Sequence, residues 1–294
     1  AGGYVVGQLL VMVIPSAAGL AMLLLVALFP ILKAVGVSAA AAAAVIGTSA
    51  GMTFAPTAGT ASLAAKVAGL DPINYLVEYQ LPIAIPTLLV AAAAHYVVQR
   101  RFDAKGDDAQ AETVEVKASS APDAPAWYAF FPVLPIALLI IFSNLVVSSV
   151  KLDTIAALFM VWVFVVLVEI VRLRDVKKIF KDAMAMFQSM GKMFAGIVAL
   201  IICAEFFASG LKSSGLIDLL INGMGLMTVL LTGIVSVVTF LTGSGVGAYS
   251  SFAALAPDVA QGLGGSVEAL VTPMQFASGM VRAMSPVAGV IIAV

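Results

Sequence analysis

The chain alternates between long apolar runs and short stretches that are rich in Gly, Ser, Thr and Pro. The hydrocarbon core of a bilayer is about 30 Å thick, and a helix needs roughly 20 apolar residues to cross it. Four runs reach that length: Tyr75–Gln99, Trp127–Val150, Leu152–Val171 and Met193–Leu211. The pattern therefore predicts an all-α polytopic membrane protein.

The remaining apolar runs are interrupted in two regions of the chain. In the first, runs that begin at Tyr4 and Ala39 break at 15–19 and 47–59 and then resume. In the second, runs that begin at Leu226 and Val267 break at 242–247 and 278–289. Main chain that is not helical is tolerated at membrane depth only where protein or a wet cavity shields it. Each region is therefore predicted to form a re-entrant helical hairpin followed by a broken transmembrane helix.

The two interrupted regions have the same landmarks in the same order. The first has Ser16–Gly19, Pro30, Gly51-Met52 and Pro56–Gly59, and the second has Ser244–Gly247, Pro257, Gly279-Met280 and Pro286–Gly289. Five predicted crossings lie between the two hairpins, so the second hairpin enters from the opposite face. Such inverted repeats place a substrate site near the bilayer midplane. The alternative is that the small residues only permit close helix packing.

These patterns divide the chain into a predicted transport unit and a predicted scaffold. The divisions are 1–68 (first hairpin and broken helix), 69–99 (a transmembrane helix), 100–126 (a polar linker), 127–211 (transmembrane helices with an amphipathic surface helix at 176–192) and 212–294 (second hairpin and broken helix). Basic residues concentrate in the linker and at 172–181, so both are expected on the cytoplasmic side. Apolar runs at both ends predict a chain that is truncated at both ends.

The composition favours lipid as the solvent and excludes several function classes. Hydrophobic residues make up 62% of the chain and charged residues 11%, whereas a soluble domain has about 25% charged residues. A net charge of -1 provides no field that would attract nucleic acid. With one cysteine and one histidine, we expect no metal cluster, no cofactor and no catalytic triad, and therefore no enzyme.

Several of these segments resemble one known family. They are Pro15–Gly19, Phe29-Pro30, Phe54–Gly59, Thr242–Gly245, Pro273–Gln275, Ala277-Ser278, Arg282 and Ser285–Gly289. Together they resemble the anaerobic C4-dicarboxylate carriers of the uptake C type and, more distantly, the divalent-anion/sodium symporters. The resemblance implies a secondary carrier of the bacterial inner membrane that exchanges, takes up or exports succinate, fumarate or malate, with elevator-type alternating access. Homodimers are common among such carriers.

The sequence departs from those symporters at the hairpin tips. The symporters have Ser-Asn-Thr motifs there, and this chain has Ser16-Ala17-Ala18 and Ser244-Gly245-Val246. The coupling ion is therefore left open between Na⁺ and H⁺.

Arg282 is the most specific candidate for substrate binding. An arginine inside an apolar segment faces a cavity or a partner, and its planar guanidinium matches a carboxylate bidentately. The alternatives are that Arg282 extends to the membrane surface or pairs with backbone carbonyls.

Hydroxyls and glycines at the breaks complete the predicted site, since helix N-termini favour anions and unwound carbonyls bind cations. The predicted substrate-binding residues are Ser16, Gly19, Thr57, Thr242, Ser244, Gly245, Ser278, Arg282 and Ser285. The predicted cation-binding residues are Ser16, Thr48, Ser49, Ser244 and Ser278. Alternatives are a carrier of amino acids or other small organic anions, a membrane-embedded enzyme, and a channel.

Overall fold

The computed structural model describes residues 2–103, 125–144, 146–147, 149–150, 152–213 and 224–288. Every regular element within these ranges is a helix, which confirms the all-α prediction for the described part of the chain. Three helical stretches are long and apolar enough to cross a membrane, judged by length and composition: Ala17–Ala34, Pro72–Arg101 and Thr154–Leu173. These stretches support the prediction of a membrane protein.

The first interrupted region folds into short helices that pack side by side. They are α1 (Gly2–Val13), α2 (Ala17–Ala27), α3 (Phe29–Ala34), α4 (Ala39–Gly51) and α5 (Gly59–Val67). The Ser16 hydroxyl accepts a hydrogen bond from the Gly19 N–H and so begins α2. Both α1 and α2 pack against α4. The chain is not helical at 14–16 and 52–58, so both predicted interruptions exist, in shorter form.

A long helical stretch follows the first region. It consists of α6 (Pro72–Tyr75), a π-helical turn (Leu76–Gln80) and α7 (Leu81–Asp103). Asp71 begins it by accepting hydrogen bonds from the N–H groups of Ile73 and Asn74. The predicted helix at Tyr75–Gln99 is confirmed and is longer at both ends. The predicted polar linker at 100–126 lies mostly outside the described residues.

The predicted span Trp127–Val150 is not one continuous helix. A 3₁₀-helix (Ala126–Val133) leads into α8 (Leu134–Ile141), and α8 ends there. Pro132 has no N–H to donate to an α-helical ladder, which favours the tighter turns before α8. At the other end the Ser143 hydroxyl donates to the Ile140 carbonyl at 2.7 Å, and this bond accompanies the end of the helix.

Two long helices follow α8, and the second differs from its prediction. The first is α9 (Thr154–Leu173), close to the predicted bounds, and the second is α10 (Val176–Ser213). The sequence predicts a surface helix at 176–192 and a separate span at Met193–Leu211, but the structure joins them without a break. No proline lies within α10, and Gly191 weakens a helix by only about 1 kcal/mol.

The second interrupted region has the same overall plan as the first. It comprises α11 (Met224–Thr242), α12 (Gly245–Ala253), α13 (Ala256–Leu263) and α14 (Glu268–Arg282). α11, α12 and α14 pack against one another, and α5 of the first region packs against α12 and α14. Their shared core includes Tyr75, Leu231, Tyr249, Leu270 and Met274. A second core joins α1, α2 and α4 to Phe276 of α14.

The helix bounds correct the predicted position of three hydroxyl residues. The sequence predicts Thr48, Ser49 and Ser278 in unwound stretches, but α4 continues to Gly51 and α14 to Arg282. The Thr48 hydroxyl donates to the Ala44 carbonyl at 2.7 Å, and the Ser278 hydroxyl donates to the Gln275 carbonyl at 2.7 Å. Bonds of this kind let a hydroxyl residue remain inside a helix.

Candidate functional site

The two breaks of the second region lie against each other. Gly243 ends α11 with φ 69°, a left-handed conformation that favours glycine. A Cβ at Gly243 would lie 2.9 Å from the Ala288 nitrogen, so only glycine permits this approach. The Ser285 hydroxyl donates to the Phe240 carbonyl at 2.7 Å. These contacts fix the segment after α14 against the turn that precedes α12.

The start of α12 lies next to Arg282. The Ser244 hydroxyl accepts from the Gly247 N–H at 3.1 Å and caps the helix. A Cβ at Gly245 would lie 2.7 Å from the Ser278 carbonyl oxygen and 3.7 Å from the Arg282 Cβ. The N-terminus of a helix has a partial positive charge. The start of α12 therefore lies beside the Cβ of Arg282, whose guanidinium extends to the Ala50 carbonyl.

Arg282 keeps hydrogen-bonding capacity for a ligand. Its Nη2 donates to the Ala50 carbonyl at 3.1 Å, close to the end of α4. Its Nε is buried and has no hydrogen-bond partner. Among the residues that the structure describes, no carboxylate forms an ion pair with Arg282. Arg282 therefore does pair with a backbone carbonyl, as one of the alternatives predicted. A neutral carbonyl does not balance the positive charge of the guanidinium, however.

Helix α5 of the first region also lies beside the start of α12. A Cβ at Gly59, the first residue of α5, would lie 3.9 Å from the Val246 Cγ1 of α12. The start of α5 has no side-chain cap, so its first N–H groups are not used by a capping side chain. Thr57 is buried in the non-helical segment just before it. The starts of α5 and α12 are therefore neighbours.

The structure brings together most of the predicted substrate-binding residues. Ser244, Gly245, Ser278 and Arg282 share one set of contacts, with Thr57 in the segment that leads to α5. Thr242 and Ser285 stabilise the adjoining turns, since the Thr242 hydroxyl donates to the Val238 carbonyl and accepts from the Ser244 N–H. Ser16 and Gly19 lie at the start of α2 and are exposed.

The predicted cation-binding residues use separate partners. Thr48 Oγ1 lies 2.7 Å from the Nε2 of His95 on α7. The Ser49 hydroxyl is buried, without a hydrogen-bond partner, where a Cβ on Gly7 of α1 would collide with it. Ser244 caps α12, and Ser278 bonds within α14. These side chains face at least three different neighbours, so the cation site stays a prediction.

Thr48 and His95 line a second cavity, on the side of α4 that faces α7. Its volume is about 350 Å³. The other lining residues are mostly apolar: Tyr4, Ala44, Met52, Ala91, Ala94, Val98, Met280, Ala283 and Met284. Arg282 is not among the lining residues, although Ala283, the next residue in the chain, is one of them.

The comparison with protein families identifies the chain's family. The family model of the C4-dicarboxylate anaerobic carrier, DcuC, matches residues 3–294. The chain belongs to the DcuC family. None of the solved structures matches the chain significantly.

The curated relatives of this DcuC-family chain are named as transporters. One from Vibrio cholerae, 35% identical over 300 residues, is named a probable anaerobic C4-dicarboxylate transporter DcuC. Relatives from Escherichia coli strain K12 and Shigella flexneri, each 33% identical over 298 residues, are named anaerobic C4-dicarboxylate transporter DcuC. The alignments cover 99% of this chain and 64% of each relative.

Sequence reasoning misses a buried polar network beside this DcuC-family site. The Tyr75 hydroxyl lies 3.0 Å from Thr272 Oγ1 and donates to Gln275 Oε1 at 3.1 Å. Gln80 Nε2 donates to the same Gln275 oxygen at 2.8 Å. Gln275 Nε2 donates to the Thr53 carbonyl at 3.3 Å. The available signal was a pair of glutamines within apolar helices, because polar groups at such positions are usually functional.

Proposed function

We propose that this chain forms the substrate-binding part of a secondary active transporter of C4 dicarboxylates in the bacterial inner membrane. Succinate, fumarate and malate are the proposed substrates. Membership of the DcuC family supports the substrate class. The observation that carries the proposal is Arg282, whose Nε is buried without a partner and whose charge no described carboxylate neutralises.

One substrate carboxylate binds Arg282 in this proposal. A guanidinium binds a carboxylate with two parallel hydrogen bonds and keeps its proton. The second carboxylate is bound by N–H groups at the starts of α5 and α12, because helix N-termini favour negative charge. Gly59 is exposed and has no side chain that would keep a ligand from the main chain at the start of α5.

An inverted repeat is supported by one contact between matched landmarks. Gly51 and Gly279 occupy equivalent places in the two regions, and a Cβ at Gly279 would lie 2.7 Å from the Gly51 oxygen. A Cβ at Gly51 would lie 3.3 Å from the Gly279 oxygen. Equivalent residues of two repeats touch each other only near the axis that relates them. We therefore place a pseudo-two-fold axis at the crossing of α4 and α14.

The proposed movement is of the elevator type. The two interrupted regions share their cores and move as one unit, and the helices α8 and α9 form part of the scaffold. One substrate carboxylate pairs with the charge of Arg282, and the second leaves the loaded site with one net negative charge, which a coupling cation would balance before the site moves through lipid. Coupling to Na⁺ or H⁺ is tested by imposing each gradient separately.

The decisive experiment measures succinate counterflow in proteoliposomes that contain the complete protein. Arg282→Gln should raise the KM for succinate by about tenfold to a hundredfold, because a hydrogen bond to a charged group contributes about 1.5–3 kcal/mol. Arg172→Gln is the matched control, since Arg172 bonds to Tyr128 and Glu169 at the exposed end of α9. Its KM should match the wild type.

Two results would contradict the proposal. One is an unchanged KM in Arg282→Gln, which would show that the guanidinium does not touch the substrate. The other is competition by amino acids but not by fumarate or malate, which would favour the alternative of an amino-acid carrier.

A further inference from the structure

The side chains around Gln275 form a buried polar network, in a place where apolar side chains could have filled the core. Tyr75 and Gln80 are fully buried, and Thr272 and Gln275 are each 2% exposed. The network joins the helical stretch 72–80 and the non-helical segment 52–58 to α14, which lies about 200 residues further along the chain. Buried polar groups need satisfied hydrogen bonds, but an apolar core would have avoided that requirement altogether.

A π-helical turn makes the convergence on Gln275 possible. The Leu81 N–H donates to the Leu76 carbonyl, the spacing of a π-helix, at Leu76–Gln80. Residues five apart are aligned along such a turn, so Tyr75 and Gln80 both reach one oxygen of Gln275. A π-turn is rare and often occurs at functional sites. Here it places two donors on a single acceptor.

Those two donors also fix the orientation of the Gln275 amide. Because Oε1 accepts from Tyr75 and Gln80, the NH₂ group must point the other way. It donates to the carbonyl of Thr53 at 3.3 Å. Thr53 lies in the segment that leads to Thr57 and the start of α5. On the same helix as Gln275, Ser278 and Arg282 follow within two turns.

We infer that Gln275 is a positioning residue that sets the distance between segment 52–58 and Arg282, and thereby the affinity for the transported anion. This inference rests on the proposed function. The Gln275 side chain connects segment 52–58 of the first region to α14 of the second, and Arg282 makes a separate connection to the end of α4 through the Ala50 carbonyl. Tyr75 and Gln80 keep that side chain from rotating, and Gln275 does not itself touch the substrate.

The test compares Gln275→Glu, Gln275→Leu and Gln8→Leu in proteoliposomes that contain the complete protein. Gln8 is the matched control because it is a buried glutamine that donates to a backbone carbonyl, that of Ser49, at 3.4 Å. Gln275→Leu should raise the KM for succinate roughly tenfold or more, since small displacements of binding groups are costly. Gln8→Leu should lower the melting temperature by a similar amount and leave KM unchanged.

Gln275→Glu isolates the bond to Thr53. An ionised glutamate still accepts from Tyr75 and Gln80 but repels the Thr53 carbonyl, whereas a protonated one donates an O–H to it. The ratio of the variant's KM to that of the wild type should therefore fall as the pH is lowered from 9 to 5, on the order of tenfold. Gln275→Leu should show no such rescue.

The outcomes separate the two proposals. If the wild type does not transport succinate, the proposed function fails. If the wild type transports succinate but Gln275→Glu shows a pH-independent KM ratio, or Gln8→Leu raises KM as much as Gln275→Leu, then Gln275 is only a packing residue and the inference is overturned.

Discussion

The close crossing of α4 and α14 predicts that the substitution Gly279→Ala destabilises the protein. The added Cβ would lie 2.7 Å from the Gly51 carbonyl oxygen, and ordinary contact begins near 3.4 Å. That oxygen belongs to the main chain of another helix, so no side-chain rotation relieves the clash. The two helices would have to separate by about 0.7 Å, and overpacking of this kind costs about 1–3 kcal/mol.

Gly233→Ala is the matched control for this substitution. Gly233 is also inside a helix, α11, and a Cβ there meets nothing within 4 Å. Both substitutions gain about 1 kcal/mol of helix propensity, so that gain cancels in the comparison. The difference of about 1–3 kcal/mol predicts that Gly279→Ala melts about 2–6 °C below Gly233→Ala, at about 2 °C per kcal/mol.

The assay is thermal unfolding of the purified protein in detergent, followed by size-exclusion chromatography after heating. Equal melting temperatures for the two variants would refute the reasoning. That result would mean that α4 and α14 do not approach closely, and it would also remove the main support for a pseudo-two-fold axis at Gly51 and Gly279.

Three further substitutions test the turns around the site. Ser244→Ala should cost about 1 kcal/mol through the lost N-cap and raise the KM for succinate, whereas Ser38→Ala should show a similar stability loss with normal KM. Ser285→Ala should lower the melting temperature, because the partly buried Phe240 carbonyl loses its hydrogen-bond partner, at a cost of about 1 kcal/mol. Gly243→Ala should lower the melting temperature and impair transport, since it strains a left-handed turn and clashes with main chain; a normal melting curve would contradict this.

Local chemistry explains why the turns could be predicted from the sequence. Ser16 and Ser244 each cap a helix directly after a break, and a capping hydroxyl acts on residues two or three positions away. The prediction of a break at each of these serines therefore needed only neighbouring residues, although each helix begins earlier than predicted, directly after its serine. Thr48 and Ser278 were placed wrongly because a hydroxyl residue is compatible both with a turn and with a helix interior.

Contacts between distant parts of the chain could not be predicted in this way. Nothing local to Gln275 indicates that it meets Tyr75 and Gln80, which lie about 195–200 residues earlier. The π-helical turn at 76–80, which brings Tyr75 and Gln80 to one oxygen of Gln275, likewise could not be predicted from residues 76–80 alone. The sequence repeat gave Gly51 and Gly279 equivalent positions in the two regions. It did not predict that these two glycines are in contact.

The length of α10 has a mechanical consequence. Its 38 residues extend about 57 Å at 1.5 Å per residue, while crossing 30 Å of hydrocarbon at a tilt of 40° uses only about 39 Å. If α10 crosses the membrane as the sequence predicts for 193–211, about 18 Å of it would extend beyond the hydrocarbon, and the lysines at 177, 178 and 181 lie in that extension. Because α10 is unbroken and also packs against α12, a displacement of its lysine-bearing end would be carried along one continuous helix to the second interrupted region.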